Sequence, residues 1–347
     1  MSGVELPGLR IESVSAWLEA NAQATPPFTF TLIAGGRSNL TFRVDDAFGR
    51  RFVLRRPPQS HVLQSAHDMV REFTVTFALH PTRVPVARPV ALCTDGAVNG
   101  SPFYVMEFVE GAILRTKSDA VAAFDETTRY TLGRHLTEAL VELHDVNVAS
   151  VGLSDFARHG GYIERQVRRW RTQYDQTVMR GAPAISLIAE VGDRLLDAVP
   201  TQQIVSVVHG DYRIDNTVLA PDGRVAAILD WEICTLGDPL ADLGTLLCYW
   251  AEPGDAVAEV LGEPPTLAPG FMTRNEVIRA YAEHSMLDLS QVDFYLAFAY
   301  WRLACIAQGV FARYQAGARA GDPSSVAAMP GHVASLASAA HHILLSP

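Results

Sequence analysis

The segment 207-VVHGDYRIDNTVLAPDGRVAAILDWE-232 decides how the rest of the chain is read. A short apolar run ends in His-Gly-Asp, an asparagine stands five residues beyond that aspartate, and a second apolar run delivers Asp230 fourteen residues later. Apolar segments of this length between polar turns predict strands and loops, so a compact hairpin brings Asp211, Asn216 and Asp230 together. Phosphoryl transfer from a nucleotide needs such a set: one carboxylate to orient or deprotonate an attacking hydroxyl, and oxygen ligands that hold Mg²⁺ against the phosphates. Mg²⁺ keeps several waters, so two protein ligands suffice. His209 reads as a brace for the loop rather than a general base. A hydrolase built on His209 and Asp211 lacks a nucleophile beside them, and an acidic hairpin in a lectin-like domain is the bland alternative.

Upstream, an amphipathic helix is expected at 11-IESVSAWLEANA, followed by strand-like runs FTFTLIAGG, SNLTFRVDD and RFVLRRPP that each end in turn residues. A helix is expected from about His61 to Leu79, then two more strands in RPVALCTD and SPFYVMEFVEG. From about Asp125 the pattern turns helical, with Leu132, Leu136, Leu140 and Leu143 on one face. Further helices are expected near 160–180, 184–198, 239–250, 273–287, 291–316 and 326–344. The fold class is therefore α+β, with a small antiparallel sheet carrying one main helix over residues 1–110 and a larger, mostly helical part over 111–347.

The chain has 347 residues, 48% of them hydrophobic and 19% charged, which suits one large or two medium globular domains. A formal net charge of −10 argues against nonspecific binding to nucleic acid or to an anionic membrane. Lys117 is the only lysine, so any lysine-dependent chemistry must use it or do without. The four cysteines lie far apart without close pairs and read as buried apolar residues, not a disulfide framework or a zinc site. No opening targeting signal and no uninterrupted apolar run of about 18 residues is visible, and a cytoplasmic location is expected. His341 and His342 read as polar residues near a helix end.

HGDYRIDN followed by LDWE resembles the catalytic and metal-binding loops of the aminoglycoside phosphotransferase and choline kinase superfamily, small-molecule kinases with a protein-kinase-like, two-lobed fold. The resemblance implies that Asp211 is the catalytic base and that Asn216 and Asp230 bind metal. It implies a nucleotide clamp upstream, where 34-AGGRSNLTFRV reads as the hairpin over the phosphates, with Gly35 and Gly36 offering bare backbone and Ser38 and Asn39 offering side-chain donors. The strand that follows carries a lysine in kinases, paired with a glutamate on the next helix. This chain has 53-VLRRPP instead. Alternation places Val53 and Arg55 on one face, making Arg55 the substitute, with Arg56 the rival if the register shifts by one. Guanidinium binds phosphate bidentately, so the change is chemically workable. The L-R-R-P-P pattern also resembles the kinase-like domain fused to some acyl-CoA dehydrogenases. Glu72 is the expected partner on the helix. In 104-YVMEFVEG the adenine would meet the carbonyl of Glu107 and the N–H of Val109, with Met106 behind the ring.

Downstream, Asp238 before Pro239 is placed to cap a helix, and Asp242 one turn on to tie that helix to the catalytic loop. No long activation segment follows Asp230, which points to a small hydroxylated acceptor rather than a protein. In the basic run 158-RHGGYIERQVRRWRTQYDQ, Arg165, Arg168 and Arg169 are candidates for recognising an anion, with a solvated helix face as the alternative. An anionic acceptor, acidic or acyl-CoA-like, fits that run better than a polycationic aminoglycoside. The expected activity is therefore an Mg²⁺-dependent kinase using ATP or GTP; a nucleotide-binding pseudokinase is the second reading, since arginine replaces the lysine.

Overall fold

The computed structural model describes residues 6–34, 39–58, 68–158, 160–315, 317 and 323–345. Helix α1, Ile11–Asn21, precedes five strands: β1 Thr29–Ala34, β2 Leu40–Asp45, β3 Arg51–Arg56, β4 Pro89–Cys93 and β5 Phe103–Glu107. They form one antiparallel sheet in the order β1-β2-β3-β5-β4, as the turn-bounded apolar runs predict. Helix α2, Met69–Leu79, and the single turn α3, Gly96–Asn99, interrupt the series. Asp68 opens α2 by accepting the Arg71 N–H, and the earlier part of the expected helix, residues 61–67, lies outside the described residues.

Period-two alternation gives the sheet two different faces. Phe42, Val44, Phe52, Leu54, Phe103 and Val105 pack with Val14 and Leu18 of α1. On the other face Val53, Tyr104 and Met106 cluster with Met69 of α2. The register Arg55↔Tyr104 and Val53↔Met106 puts Arg55 on the α2 side. Arg56 turns the other way, to the carbonyls of Gly8 and Asn99. The expected pairing of Val53 with Arg55 on one face holds, and Arg56 is a structural residue on the α1 side.

The second part is helical, with α4 Lys117–Ala123, α5 Glu126–His144, α6 Tyr162–Met179, α7 Ser186–Asp197, α8 Leu240–Tyr249, α9 Ala256–Leu261, α10 Arg274–Ala282, α11 Val292–Gln315 and α12 Pro323–Leu345. Leu132, Leu136, Leu140 and Leu143 on α5 are all fully buried, as their spacing predicts. Helices α4 and α9 are short and carry no long apolar stripe, which is why the sequence pattern missed them. Helix α11 is long and apolar enough to cross a membrane, yet 78% of its apolar window is buried against neighbouring helices, as for the central helix of a bundle. Lys117 sits at the start of α4, far along the chain from β3. All four cysteines are buried and unpaired.

Inside this helical part lie the short strands expected from the deciding segment: β6 Ser206–Val208, β7 Thr217–Leu219 and β8 Val225–Ile228, with β7 and β8 forming a hairpin. A further strand, β9 Thr235–Gly237, pairs with β6. Single bridges join this unit to the chain between α2 and β4, from Val86 to Ile228, and to the chain leaving β5, from Ala112 to Leu219. Gly111 is needed there, because a Cβ would come within 2.4 Å of the Leu219 carbonyl oxygen.

Candidate active site

The turn after β6 places Asp211. Gly210 adopts φ +86°, and a Cβ there would meet Ile233 at 3.1 Å, so both backbone and space call for glycine between the histidine and the aspartate. The loop is pinned from below: Asp242 of α8 accepts the N–H groups of His209 and Gly210 at 2.6 and 2.8 Å. Arg302 of α11 donates to the Gly210 carbonyl at 2.9 Å. His209 Nδ1 accepts the Asp211 N–H, so its Nε2–H donates to the Leu229 carbonyl, and the neutral ring is a brace between the two loops. Asp238 accepts the Leu240 N–H at the start of α8 and takes a second bond from Tyr295, as a capping role requires.

Asn216 follows in a 3₁₀ turn, Ile214–Asn216, and its Nδ2 donates to the Asp211 carbonyl at 2.9 Å and to Asp211 Oδ2 at 2.8 Å. That fixes the amide orientation and turns its Oδ1 away from Asp211. Asp230 has left-handed backbone, φ +65° and ψ +61°, strain of the kind found at functional sites. Its Oδ1 accepts from Arg55 Nη2 at 2.8 Å, leaving Oδ2 for another partner.

Arg55 connects this loop to the sheet. Its Nε lies 3.3 Å from Glu72 Oε2 but makes no well-aligned hydrogen bond, so the pairing with Glu72 is chiefly charge on charge. Glu72, 1% exposed, also accepts from Asn39 Nδ2 at 2.7 Å and from the Tyr104 hydroxyl at 3.0 Å. Burial, with the charge of Asp230 added, raises the Glu72 pKa, and Arg55 and these donors offset only part of the rise. Burial also opposes the Arg55 charge, but Tyr104, Glu72 and Asp230 outweigh it and raise its pKa. Glu232, beneath Asp230, is pushed up to about 7, first by burial and then by the negative charges of Asp230 and Glu72.

The expected residues Asn39, Arg55, Glu72, Asp211, Asn216 and Asp230 therefore meet in one place. Met106 is buried in β5 beside Val53, and Val109 packs on the same apolar cluster, whereas the Glu107 side chain pairs with Arg88. Gly35, Gly36 and Ser38 lie outside the described residues. On α6, Arg168 pairs with Glu164 at 2.8 Å, Arg165 donates to the Arg158 carbonyl at 3.3 Å, and Arg169 stacks over Trp170. These three engage their own helix and its approach. The first turn of α6 packs on β9, where Tyr162 lies against Gly237.

Tyr104, Glu232 and Arg213 were not singled out by the sequence. Tyr104 needed the β3–β5 register to be placed opposite Arg55. Glu232 and Arg213 sit inside the motif itself, and their signal was spacing alone: two residues after Asp230 and two after Asp211.

The donor set suits a hard divalent cation, since Asn216 Oδ1 and Asp230 Oδ2 are both oxygens without a bond to another side chain among the described residues. No group of three or more His, Cys, Asp or Glu side chains fit to hold a metal occurs among the described residues. Five carboxylates (Glu72, Asp211, Asp215, Asp230 and Glu232) face two guanidiniums, Arg55 and Arg213. A polyanionic phosphate chain enters such surroundings only with cations.

Residues 29–285 match the model of the phosphotransferase enzyme family. A Ralstonia eutropha protein classed with the aminoglycoside phosphotransferases superposes with a TM-score of 0.79 at 28% identity, over 95% of this chain and 98% of that one. Amicoumacin kinase, solved with AMP-PNP and Ca²⁺, has the same fold at 16% identity and a TM-score of 0.62, over 94% of this chain and 93% of that one. Acyl-CoA dehydrogenase family member 11 of Homo sapiens is 32% identical over 87% of this chain, and member 10 of Mus musculus 33% over 84%. The chain spans only 38% and 27% of their respective lengths. With a match across most of its length and the two-lobed fold those neighbours share, the chain belongs to the phosphotransferase enzyme family.

Proposed function

We propose that the protein is an Mg²⁺-dependent small-molecule kinase that moves the terminal phosphoryl group of ATP or GTP to a hydroxyl of a metabolite. One observation carries the reading: Asp211 and Asn216 are hydrogen-bonded to each other, and Asp230 is joined through Arg55 to Glu72. The nucleotide lies between residues 1–110 and 111–347, its base against Met106 and the backbone of Glu107 and Val109 and its phosphates near Asn39, with Gly35, Gly36 and Ser38 the further contacts expected from the sequence. Asn216 and Asp230 would hold the metal, which would neutralise charge on the phosphates. Asp211 orients the acceptor hydroxyl and takes its proton as the new O–P bond forms and the bond to the nucleoside diphosphate breaks. Arg55 positions the phosphate chain in place of a lysine.

The acceptor is small, because no long activation segment follows Asp230. An acidic or acyl-CoA-like metabolite is favoured by the arginines of α6, among which half-buried Arg165 stands nearest the helix start, and by the acyl-CoA dehydrogenase names of the relatives. Aminoglycosides, being polycations, suit that helix poorly. A pseudokinase that binds nucleotide without transfer is the second reading, supported by Arg55 lying directly on Asp230. Screening alcohols, hydroxy acids, acyl-CoA esters and aminoglycosides for nucleotide consumption, with D211A as the blank, tests the reading; binding without turnover in every case would favour the pseudokinase.

A further inference from the structure

On the α1 side of the sheet a cleft of about 580 Å³ opens between the chain entering α1, the end of β3 and the turn after α3, within the size range of small-molecule sites. Arg10, Arg56 and Asn99 supply its polar side chains, and each of them brings a donor. Arg56 is 7% exposed and uses Nη1 on the carbonyls of Gly8 and Asn99 and Nε on the Pro57 carbonyl. Arg10 Nη1 donates to the Ala97 carbonyl at 3.1 Å, and its Nη2 stands 3.6 Å from where a Cβ on Gly100 would lie. The Nη2 groups of both arginines bond to no protein group among the described residues. Asn99 is 2% exposed, and its Oδ1 accepts the Arg10 N–H at 2.9 Å while its buried Nδ2 has no partner.

Positive charge gathers in this corner without an acid to answer it. Burial first and the charge of Arg10 next lower the Arg56 pKa, and no carboxylate raises it back. Helix α1 starts directly after Arg10 without a side-chain cap, which adds the positive end of its dipole at the same rim. The chain as a whole carries a net charge of −10, so the pairing of two cations here is local. Buried donors and charges left unpaired cost stability until a ligand completes them. Two guanidinium forks and an amide exceed what the two oxygens of a carboxylate can take up, whereas a phosphate group suits them.

We propose that this cleft is an anion site that binds a phosphate group through Arg10, Arg56 and Asn99. Alternation along β3 puts Arg56 on the α1 face and Arg55 on the α2 face, so the site is separate from the Asp211 loop and does not rest on the kinase reading.

The test follows the melting temperature of the whole, metal-free chain against inorganic phosphate, glycerol 3-phosphate and acetate at constant ionic strength. Both phosphates should raise it saturably, and acetate should not. A tighter midpoint for glycerol 3-phosphate assigns the site to a phosphorylated metabolite, and equal midpoints assign it to phosphate itself. R10Q, which removes an exposed cation, should weaken phosphate binding about 10-fold, as loss of a charged hydrogen bond does. R10K should recover part of that loss, and R55K, on the other face of β3, should stay within about twofold of the wild type. R55K weakening phosphate as much as R10Q, R10Q leaving it unchanged, acetate matching phosphate, or no saturable rise in the wild type would each overturn the assignment.

Discussion

Arg55 donates from Nη2 to Asp230 Oδ1 at 2.8 Å across 175 residues of sequence, and the same guanidinium lies 3.3 Å from Glu72. One side chain on β3 thus ties the sheet, α2 and the turn that carries Asp230 together. Replacing it by methionine leaves Glu72 buried without its cation. Breaking a buried pair in this way costs about 3–5 kcal/mol, so R55M should fall well below R55K in chemical denaturation. R55K retains a point charge but not the fork that reaches two carboxylates, and should weaken Mg-nucleotide binding with a smaller loss of stability.

Asp242 carries a second prediction. It is fully buried and accepts two backbone N–H groups from the turn that presents Asp211. Asparagine offers one acceptor oxygen where two are used. D242N should cost about 1–3 kcal/mol, the penalty for an unsatisfied buried donor, and should lower turnover more than nucleotide affinity because it loosens the catalytic turn.

Glu232 predicts a pH dependence. Its carboxyl is raised from an ordinary 4.5 to about 7 in the folded chain, by burial first and by Asp230 and Glu72 next. The unfolded chain releases this proton earlier than the folded one, so the group lowers stability as pH rises from about 4.5 to 7 and keeps that cost above it. E232Q removes the cost. In metal-free buffer its melting temperature should exceed the wild-type value by more at pH 8 than at pH 5; an equal shift at both would show that Glu232 does not carry the effect.

How much of this was legible in the sequence follows from the physics of each element. The sheet strands were readable because each is a turn-bounded apolar run, and α5 because Leu132, Leu136, Leu140 and Leu143 mark one face. Asp211, Asn216 and Asp230 were readable because a short hairpin leaves them no room to separate. The choice of Arg55 over Arg56 followed from period-two alternation, and the register with Tyr104 completed it. Strand β9 was not legible, since three residues pair with β6 only through tertiary contact. Tyr104 on Glu72 and Arg302 on the Gly210 carbonyl were hidden likewise, because nothing local marks which distant side chain completes a buried polar group.

Phosphoryl transfer by the Asp211 loop is the central claim, and steady-state nucleotide turnover with and without Mg²⁺, in wild type and D211A, tests it most directly. General bases contribute about 10²- to 10⁴-fold, so D211A should lose turnover on that scale while its Mg-nucleotide affinity stays within about threefold. Wild-type turnover should vanish when the metal is chelated. A D211A protein that turns over nucleotide like the wild type, or a wild-type rate indifferent to Mg²⁺, would contradict the account.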